Sequence, residues 1–228
     1  MRVTIRIKIF ISSALALLLL HACSKNKTET YDFKSSAYYN YQTGNIRDYD
    51  LDSISYDWAS GKTLKYHFLV RERVLESYVD LSGKQAVRIE QYISRDTGRT
   101  FEIYAVNTAI VEPTGFQRTE DNQRYQKIIT PITVKRKWNG NLYNNLGFKE
   151  FQFASVGSVF ANKYNEFLNC VVVMQQNDSS FISHDKEMEI YAKDQGLAYR
   201  YIKHVVYHDS DKAEGFITEW NLKKYWEK

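Results

Sequence analysis

The sequence has few of the residues and motifs by which enzyme families are recognised. Its 228 residues include only two cysteines, Cys23 and Cys170, so no Cys-x-x-Cys pair is present. The Gly-x-Ser-x-Gly pattern of serine hydrolases and the glycine-rich loops that bind phosphate are also missing. The sequence therefore names no catalytic residue, and we favour a protein that is not an enzyme.

An excess of either charge is also missing. The chain has 31 basic and 27 acidic residues, and residues 1–22 contain three of the basic residues and none of the acidic ones. The remaining 206 residues therefore carry a net charge of +1. A nearly neutral domain lacks the basic surface that binds nucleic acid, so we expect no nucleic acid partner.

The first 22 residues have the pattern of an export signal. Arg2, Arg6 and Lys8 form a basic start, and an apolar run of 12 residues follows at 9–20. A membrane-spanning helix needs roughly 20 apolar residues, so this run predicts a cleaved signal peptide, residues 1–22. No later apolar run is long enough to span, so we expect the rest of the chain to lie on one side of one membrane.

The segment Leu20-His21-Ala22-Cys23 resembles the lipobox of bacterial lipoproteins, although His21 replaces the usual small or hydroxyl residue. The resemblance implies cleavage before Cys23 and a lipid anchor on its sulfur, with about 0.8 kcal/mol of membrane binding from each buried methylene. An ordinary secretory signal is the alternative. Cys170 is then the one remaining thiol, and its apolar surroundings in the sequence favour a small buried residue over a nucleophile.

A polar tether, residues 23–43, precedes one strand-rich domain, residues 44–228. Apolar and polar residues alternate along many runs, which predicts strands with one buried face, for example at Leu64, Tyr66, Phe68 and Val70. The connections are too short for crossover helices, so the strands should be antiparallel. The predicted fold is mainly β, with one or more curved antiparallel sheets around one core. We expect few short helical turns, such as 162–168.

One short internal repeat is present. Residues 101–105 read FEIYA and residues 188–192 read MEIYA, 87 positions later. Repetition at a fixed distance is a sign of duplicated units. One interpretation is therefore two duplicated halves, about 44–140 and 141–228, and the other is a chance match within a single domain.

Two groups of residues were considered as metal ligands. Asp48, Asp50 and Asp52 have the spacing that begins a calcium loop, but the glycine and the glutamate that complete such a loop are missing. We interpret these acids as the solvated face of a strand. His204 and His208 would lie roughly 13 Å apart on a strand, too far to share an ion. The sequence predicts no metal and no other cofactor.

Aromatic residues are abundant, with 18 tyrosines and four tryptophans. Such rings can form stacking platforms for sugars or peptides, and they also fill the faces of β-sheets. The candidate ligand-binding residues are Trp58, Trp138, Trp220 and Trp226.

The second half of the chain resembles a group of uncharacterised envelope lipoproteins of the Bacteroidota. The stretches that carry the resemblance are 129–131 with 138–140, 167–173, 189–200 and 220–225. The resemblance implies paired strands and an envelope location, and it implies no activity. Surface-exposed members often have an acidic run after the cysteine, which residues 24–27 lack. This difference favours an outer-membrane anchor that faces the periplasm.

Three functions follow as hypotheses. The leading one is non-enzymatic binding of a glycan, a peptide or a partner protein on a concave sheet face, and an aromatic-lined pocket would favour it. The second is a structural role in which the domain docks onto another envelope protein, and an exposed apolar patch would favour it. The third is a hydrolase of envelope polymers that uses carboxylates as acid and base.

Overall fold

A computed structural model of the chain describes residues 35–96, 99–209 and 212–227. The predicted signal peptide, Cys23 and most of the predicted tether lie outside these residues. Within them, no helix has the length and the apolar character that a membrane crossing requires.

Nearly all of the regular structure consists of strands. A four-residue 3-10 helix, Ser35–Tyr38, is the only helix among the described residues. It is followed by β1 (Ile46–Asp57), β2 (Lys62–Val79), β3 (Gln85–Ser94), β4 (Glu102–Glu112), β5 (Gly115–Glu120), β6 (Gln123–Ile129), β7 (Lys137–Asn139), β8 (Glu150–Ala161), β9 (Glu166–Ser179), β10 (Ser183–Ala192), β11 (Gly196–Asp209) and β12 (Lys212–Trp226).

These strands form one antiparallel sheet in the order β6-β5-β4-β3-β2-β1-β12-β11-β10-β9-β8-β7. Two six-stranded meanders are therefore joined through the first and the last strand. The two edges of the sheet also meet, because Gln126 N–H donates to Gly140 O at 2.8 Å and Trp138 Nε1 donates to Gln126 O at 2.7 Å. The sheet thus nearly closes on itself, which confirms the predicted curved antiparallel architecture.

The up-and-down topology places alternate hairpin turns at opposite ends of this closed sheet. We call the end at which β1 begins the near end and the end at which β1 finishes the far end. The near end holds the β2–β3, β4–β5, β8–β9 and β10–β11 turns, and the far end holds the other hairpin turns. Between β10 and β11, residues 194–196 form a tight hairpin turn, in which Asp194 and Gly196 take φ values of 65° and 83°.

Two apolar clusters hold the sheet together. The first contains Tyr38, Tyr39, Tyr41, Val74, Ile89, Ala109, Phe116, Ile128, Trp138, Phe151, Phe153, Val171, Val173, Tyr191 and Leu197. The second contains Tyr49, Leu51, Val70, Ile93, Phe167, Cys170, Ile190, Ala192, Ala198, Trp220 and Leu222. Burial of apolar surface at roughly 25 cal/mol per Å² makes such clusters the main favourable contribution to folding.

Two local predictions are wrong. Leu64 and Tyr66 were expected on a buried face, but they are 44% and 46% exposed. They lie where the long β1–β2 hairpin extends past the covered part of the sheet, and the buried residues of β2 fall between Val70 and Val74. The predicted helical turn at 162–168 is the β8–β9 turn followed by the start of β9.

The repeated pentapeptide falls on corresponding strands. Residues 102–105 lie on β4 and residues 188–192 on β10, each the fourth strand of its meander. Their environments differ, since Ile103 is 62% exposed and Ile190 is 3% exposed. The duplication into two halves stays a prediction.

Candidate functional site

The segment before β1 closes the near end of the sheet. Tyr39 and Tyr41 stack on Phe116 with ring centroids 5.2 and 5.1 Å away, and Tyr38 is completely buried. Asp194 N–H donates to Ala37 O at 2.6 Å, which ties the segment to the β10–β11 turn. Residues 37–41 of the predicted tether are therefore packed on the domain, because their tyrosines bury a large apolar area.

Charged side chains meet across the interior. Lys127 Nζ on β6 lies 2.9 Å from Glu189 Oε1 on β10, and Arg200 on β11 lies 2.5 Å from Glu120 on β5. Arg200 also contacts Glu189 at 2.5 Å, and Lys127 contacts Glu120 at 3.0 Å. These strands are far apart in the sheet order, so the contacts exist only because the sheet curls and turns these side chains toward one another.

A second group of buried charges lies beside the first. Arg118 donates to Glu72 Oε2 at 2.6 Å and to the Tyr41 hydroxyl at 2.7 Å, so the network reaches the segment that closes the near end. Gln91 donates to Glu72, and Asn107 donates to Gln91 at 3.1 Å. Buried charges require partners of this kind, because the loss of hydration is costly.

The network sets the protonation of its glutamates. Burial raises the pKa of Glu189, but the nearby Lys127 and Arg200 outweigh burial, and the net pKa is lowered. The pKa of Glu120 is lowered in the same way, by Arg200, Lys127 and Arg118 acting against burial. Both carboxyl groups are therefore ionised at neutral pH.

A cavity of about 280 Å³ lies over this network. Tyr104, which is 57% exposed, and the exposed Asp121 of the β5–β6 turn place its mouth at the far end. Its lining includes charged, amide and aromatic side chains: Gln91, Tyr104, Ala105, Asn107, Glu120, Asp121, Tyr125, Lys127, Lys149, Phe151, Gln175, Glu187, Glu189, Arg200, Ile202 and Trp220. The cavity is thus polar at its base and has aromatic rings on its walls.

One amide in the lining lacks a partner. Gln175 is 7% exposed, and its Nε2 has no hydrogen-bond partner among the residues that the structure describes. A buried donor without a partner is unfavourable, and in native structures such groups call for a functional or solvent explanation. Because Gln175 lines the cavity, its Nε2 is the candidate donor for a molecule that binds there.

The structure separates the four candidate tryptophans. Trp138 is buried against Phe153, and Trp58 and Trp226 are exposed at the far and the near end. Of the four, Trp220 is the one that lines the cavity. They do not form one platform, and a ligand-binding role for each of them stays a prediction.

The other residues considered from the sequence as nucleophile or metal ligands have structural roles. Cys170 is completely buried, and burial raises the pKa of its thiol to about 11, as expected of a small core residue. The interpretation of Asp48, Asp50 and Asp52 as a solvated face is wrong at Asp50, which is buried and contacts Lys163 Nζ at 2.9 Å. His204 pairs with Asp185 at 2.8 Å. Among the described residues, no group of His, Cys, Asp and Glu has the arrangement of a metal site.

The sequence contained a weak signal for the charged residues that were missed. Glu72 occupies the same strand phase as Val70 and Val74, where an apolar residue is expected. Glu189 and Arg200 carry opposite charges in one hairpin, β10–β11, where the bulge at Ile190/Tyr191 places them opposite each other. In a chain with 25% charged residues, neither signal is distinctive by itself.

No protein-family model matches the chain, and no curated protein sequence is similar to it. Two solved structures are similar in backbone, each with 12% sequence identity. One is a protein inferred to be exported, with a YmcC-like fold, from Bacteroides fragilis, with a TM-score of 0.45, 82% of this chain covered and 97% of the other. The second is a protein inferred to be a lipoprotein from Parabacteroides distasonis, with a TM-score of 0.44, 83% of this chain covered and 98% of the other. Both organisms belong to the Bacteroidota, the group named by the sequence resemblance.

Proposed function

We propose that the protein is a lipid-anchored component of the bacterial cell envelope that binds a small polar ligand in its interior cavity. The observation that carries the binding function is the unpartnered amide of Gln175 in the wall of that cavity. A concave site with a few convergent polar groups is the usual form of a ligand pocket.

The state of the carboxylates supports binding over hydrolysis. A glycosidase needs one carboxyl group that keeps its proton near neutral pH and donates it to the leaving group. The pKa values of Glu120 and Glu189 are lowered, and both groups are engaged by Lys127 and Arg200. They suit a structural and hydrogen-bonding role in the cavity base.

The lipid anchor is the part of this proposal that is supported by the sequence. The apolar run at 9–20 and the lipobox-like segment 20–23 support lipidation of Cys23, and the polar residues 24–27 support an outer-membrane position facing the periplasm. Intact mass measurement of membrane-extracted protein tests this part. A mass of residues 23–228 plus acyl chains is expected, and a Cys23→Ser variant should lack the added mass.

Occlusion of the cavity tests the binding function. Ala105 is a half-buried lining residue near the mouth, so Ala105→Trp should fill the space that a ligand needs. Ala154→Trp is the matched control, because Ala154 is an exposed strand residue outside the cavity. Protein-observed NMR with a panel of monosaccharides, amino acids and dicarboxylic acids should show binding that Ala105→Trp abolishes and Ala154→Trp preserves. Absence of binding across the panel would refute this function.

A structural docking role is the second candidate, and exposed apolar residues at the far end favour it. Phe181 and Ile182 in the β9–β10 turn are 105% and 65% exposed, and Ile182 O accepts a hydrogen bond from Tyr207 N. Phe181→Asp should reduce co-purification of an envelope protein if this surface docks. Leu81→Asp, at an equally exposed near-end turn, is the control.

A further inference from the structure

We infer that the ligand of the cavity is a neutral, polyhydroxylated molecule about one sugar residue in size. This inference rests on the proposed binding function and adds the chemical class of the ligand. Its size follows from the volume of about 280 Å³, which is just below the roughly 300–1,000 Å³ typical of sites for drug-sized molecules.

The ion pairs at the base of the cavity disfavour a charged ligand there. Lys127 and Arg200 are held by Glu120 and Glu189, and Lys149 Nζ contacts Glu187 at 2.6 Å. At this depth an anion or a cation would have to displace one of these resident partners and leave a buried charge uncompensated, which is strongly unfavourable. The exposed Asp121 at the mouth belongs to none of these ion pairs, and water screens its charge. A neutral ligand leaves every ion pair intact.

The lining offers hydrogen bonds suited to hydroxyl groups. Each hydroxyl both donates and accepts, so it can bond to an amide N–H and to the free lone pairs of an already paired carboxylate. Gln175 Nε2 supplies a free donor, and the Glu189 and Glu187 carboxylates supply acceptors in the same cavity. The lining amides Gln91 and Asn107 are the neighbouring polar groups.

The aromatic lining suits the other surface of a sugar. The C–H faces of a sugar ring are apolar and pack on aromatic rings, whose hydroxyl or N–H edges stay in polar surroundings. Tyr104 and Tyr125 stand on the side of the mouth, and Trp220 and Phe151 lie deeper, where they are 9% and 1% exposed. Polar and apolar groups are thus interleaved around one ring-sized space.

A matched series of probes tests the inference on the full chain. N-acetylglucosamine and glucose are neutral, glucosamine is cationic and glucuronate is anionic, while all four share a pyranose ring. Isothermal titration calorimetry and protein-observed NMR at millimolar ligand concentration should detect binding of a neutral member. The charged members should bind at least about tenfold more weakly, which corresponds to the loss of one favourable interaction.

Two variants separate ligand contact from structural support. Gln175→Leu should weaken binding of the neutral sugar about tenfold and leave the melting temperature unchanged or raised, because Nε2 has no hydrogen bond to lose. Gln176→Leu is the control, since the Gln176 amide bonds to Asp178 and does not line the cavity. A lower melting temperature with unchanged sugar affinity would make Gln175 a structural residue and overturn the inference.

The remaining outcomes are distinguishable. If charged sugars or amino acids bind in the cavity and no neutral sugar does, the inference is wrong and the proposed binding function stands. If a neutral sugar binds equally well to the Ala105→Trp variant, the site lies elsewhere and the inference also fails. If no probe of either panel binds, the proposed function fails with it.

Discussion

Replacement of Glu189 by glutamine removes one negative charge from the base of the cavity with little change in shape. Glu189 accepts hydrogen bonds from Lys127 Nζ at 2.9 Å, from Arg200 Nε at 2.7 Å and from the Tyr191 hydroxyl at 2.6 Å, and its side chain is 1% exposed. The variant leaves two buried cations that share Glu120 as their remaining carboxylate in this network.

The expected loss of stability follows from the burial of Glu189. Removal of one partner of a buried ion pair costs about 3–5 kcal/mol. Glu120 still contacts both cations, so we expect the lower end of that range, about 3 kcal/mol. For a chain of this length, such a loss lowers the melting temperature by about 6–12 °C. Urea denaturation at pH 7, followed by tryptophan fluorescence, measures the free energy of unfolding directly.

An exposed ion pair of similar geometry is the control. Lys137 Nζ and Glu150 are 2.7 Å apart, but their side chains are 54% and 46% exposed. Glu150→Gln should therefore cost less than about 1 kcal/mol. Equal losses in the two variants would refute the argument that burial makes the interior network strong.

The same network makes the stability of the fold depend on pH. Folding lowers the pKa of Glu189 and Glu120, so their contribution to stability is complete above the unfolded value of about 4.3 and is lost as the pH falls below it. The stability difference between wild type and Glu189→Gln should therefore shrink below about pH 4. A difference that grew on acidification would contradict the lowered pKa values.

Three further variants or reagents probe other parts of the fold. Phe116→Ala should cost about 3–5 kcal/mol of stability, because Phe116 is completely buried beneath the tyrosines of the near end. Phe148→Ala is the control and should change stability by no more than about 0.5 kcal/mol, because Phe148 is 75% exposed. Similar denaturation midpoints for the two variants would argue against the packed segment. Gly215→Ala should cost more than about 2 kcal/mol of stability, since the added Cβ would lie 2.0 Å from a backbone oxygen at a φ of 122°. Gly83→Ala is the control, because its Cβ would meet no atom within 4 Å, and it should cost about 1 kcal/mol. The melting temperatures of the two variants measure the difference. Cys170 should resist iodoacetamide at pH 8 in the native chain and react after unfolding, as burial raises its pKa to about 11; rapid native labelling by mass spectrometry would show an accessible thiol.

The strands and most of their turns could be predicted from the sequence because both are local properties. Alternation of apolar and polar residues specifies a strand, and the short connection at 194–196 specifies a hairpin. The antiparallel meander follows, because short connections leave no length for a crossover. The export signal and the lipidation of Cys23 also rest on consecutive residues, and both stay predictions.

The faces of the strands could be predicted less well. β-bulges shift the register opposite Gln91/Tyr92 and opposite Glu187/Met188, where the extra residues are Tyr104 of β4 and Gln175 of β9. Each bulge exchanges the inward and the outward phase of the strand that contains the extra residue. A period-two pattern read across such a position assigns residues to the wrong face. Glu189 was missed for a different reason. Glu189 and Ile190 are 1% and 3% exposed, so both faces of β10 are covered there, and alternation indicates only the apolar face.

The cavity could not be predicted from the sequence, because its lining comes together only in the tertiary structure. Lys127 and Glu189 are 62 residues apart, and Arg200 and Glu120 are 80 apart, so no local pattern pairs them. They meet because the curved sheet brings β5 and β6 opposite β10 and β11. The sequence by itself determined the strands and their antiparallel order along the chain, since these rest on neighbouring residues, and it predicts the export segment on the same kind of local pattern. Only the tertiary structure decided which side chains face one another across the interior, because sheet curvature and bulges accumulate over the whole chain.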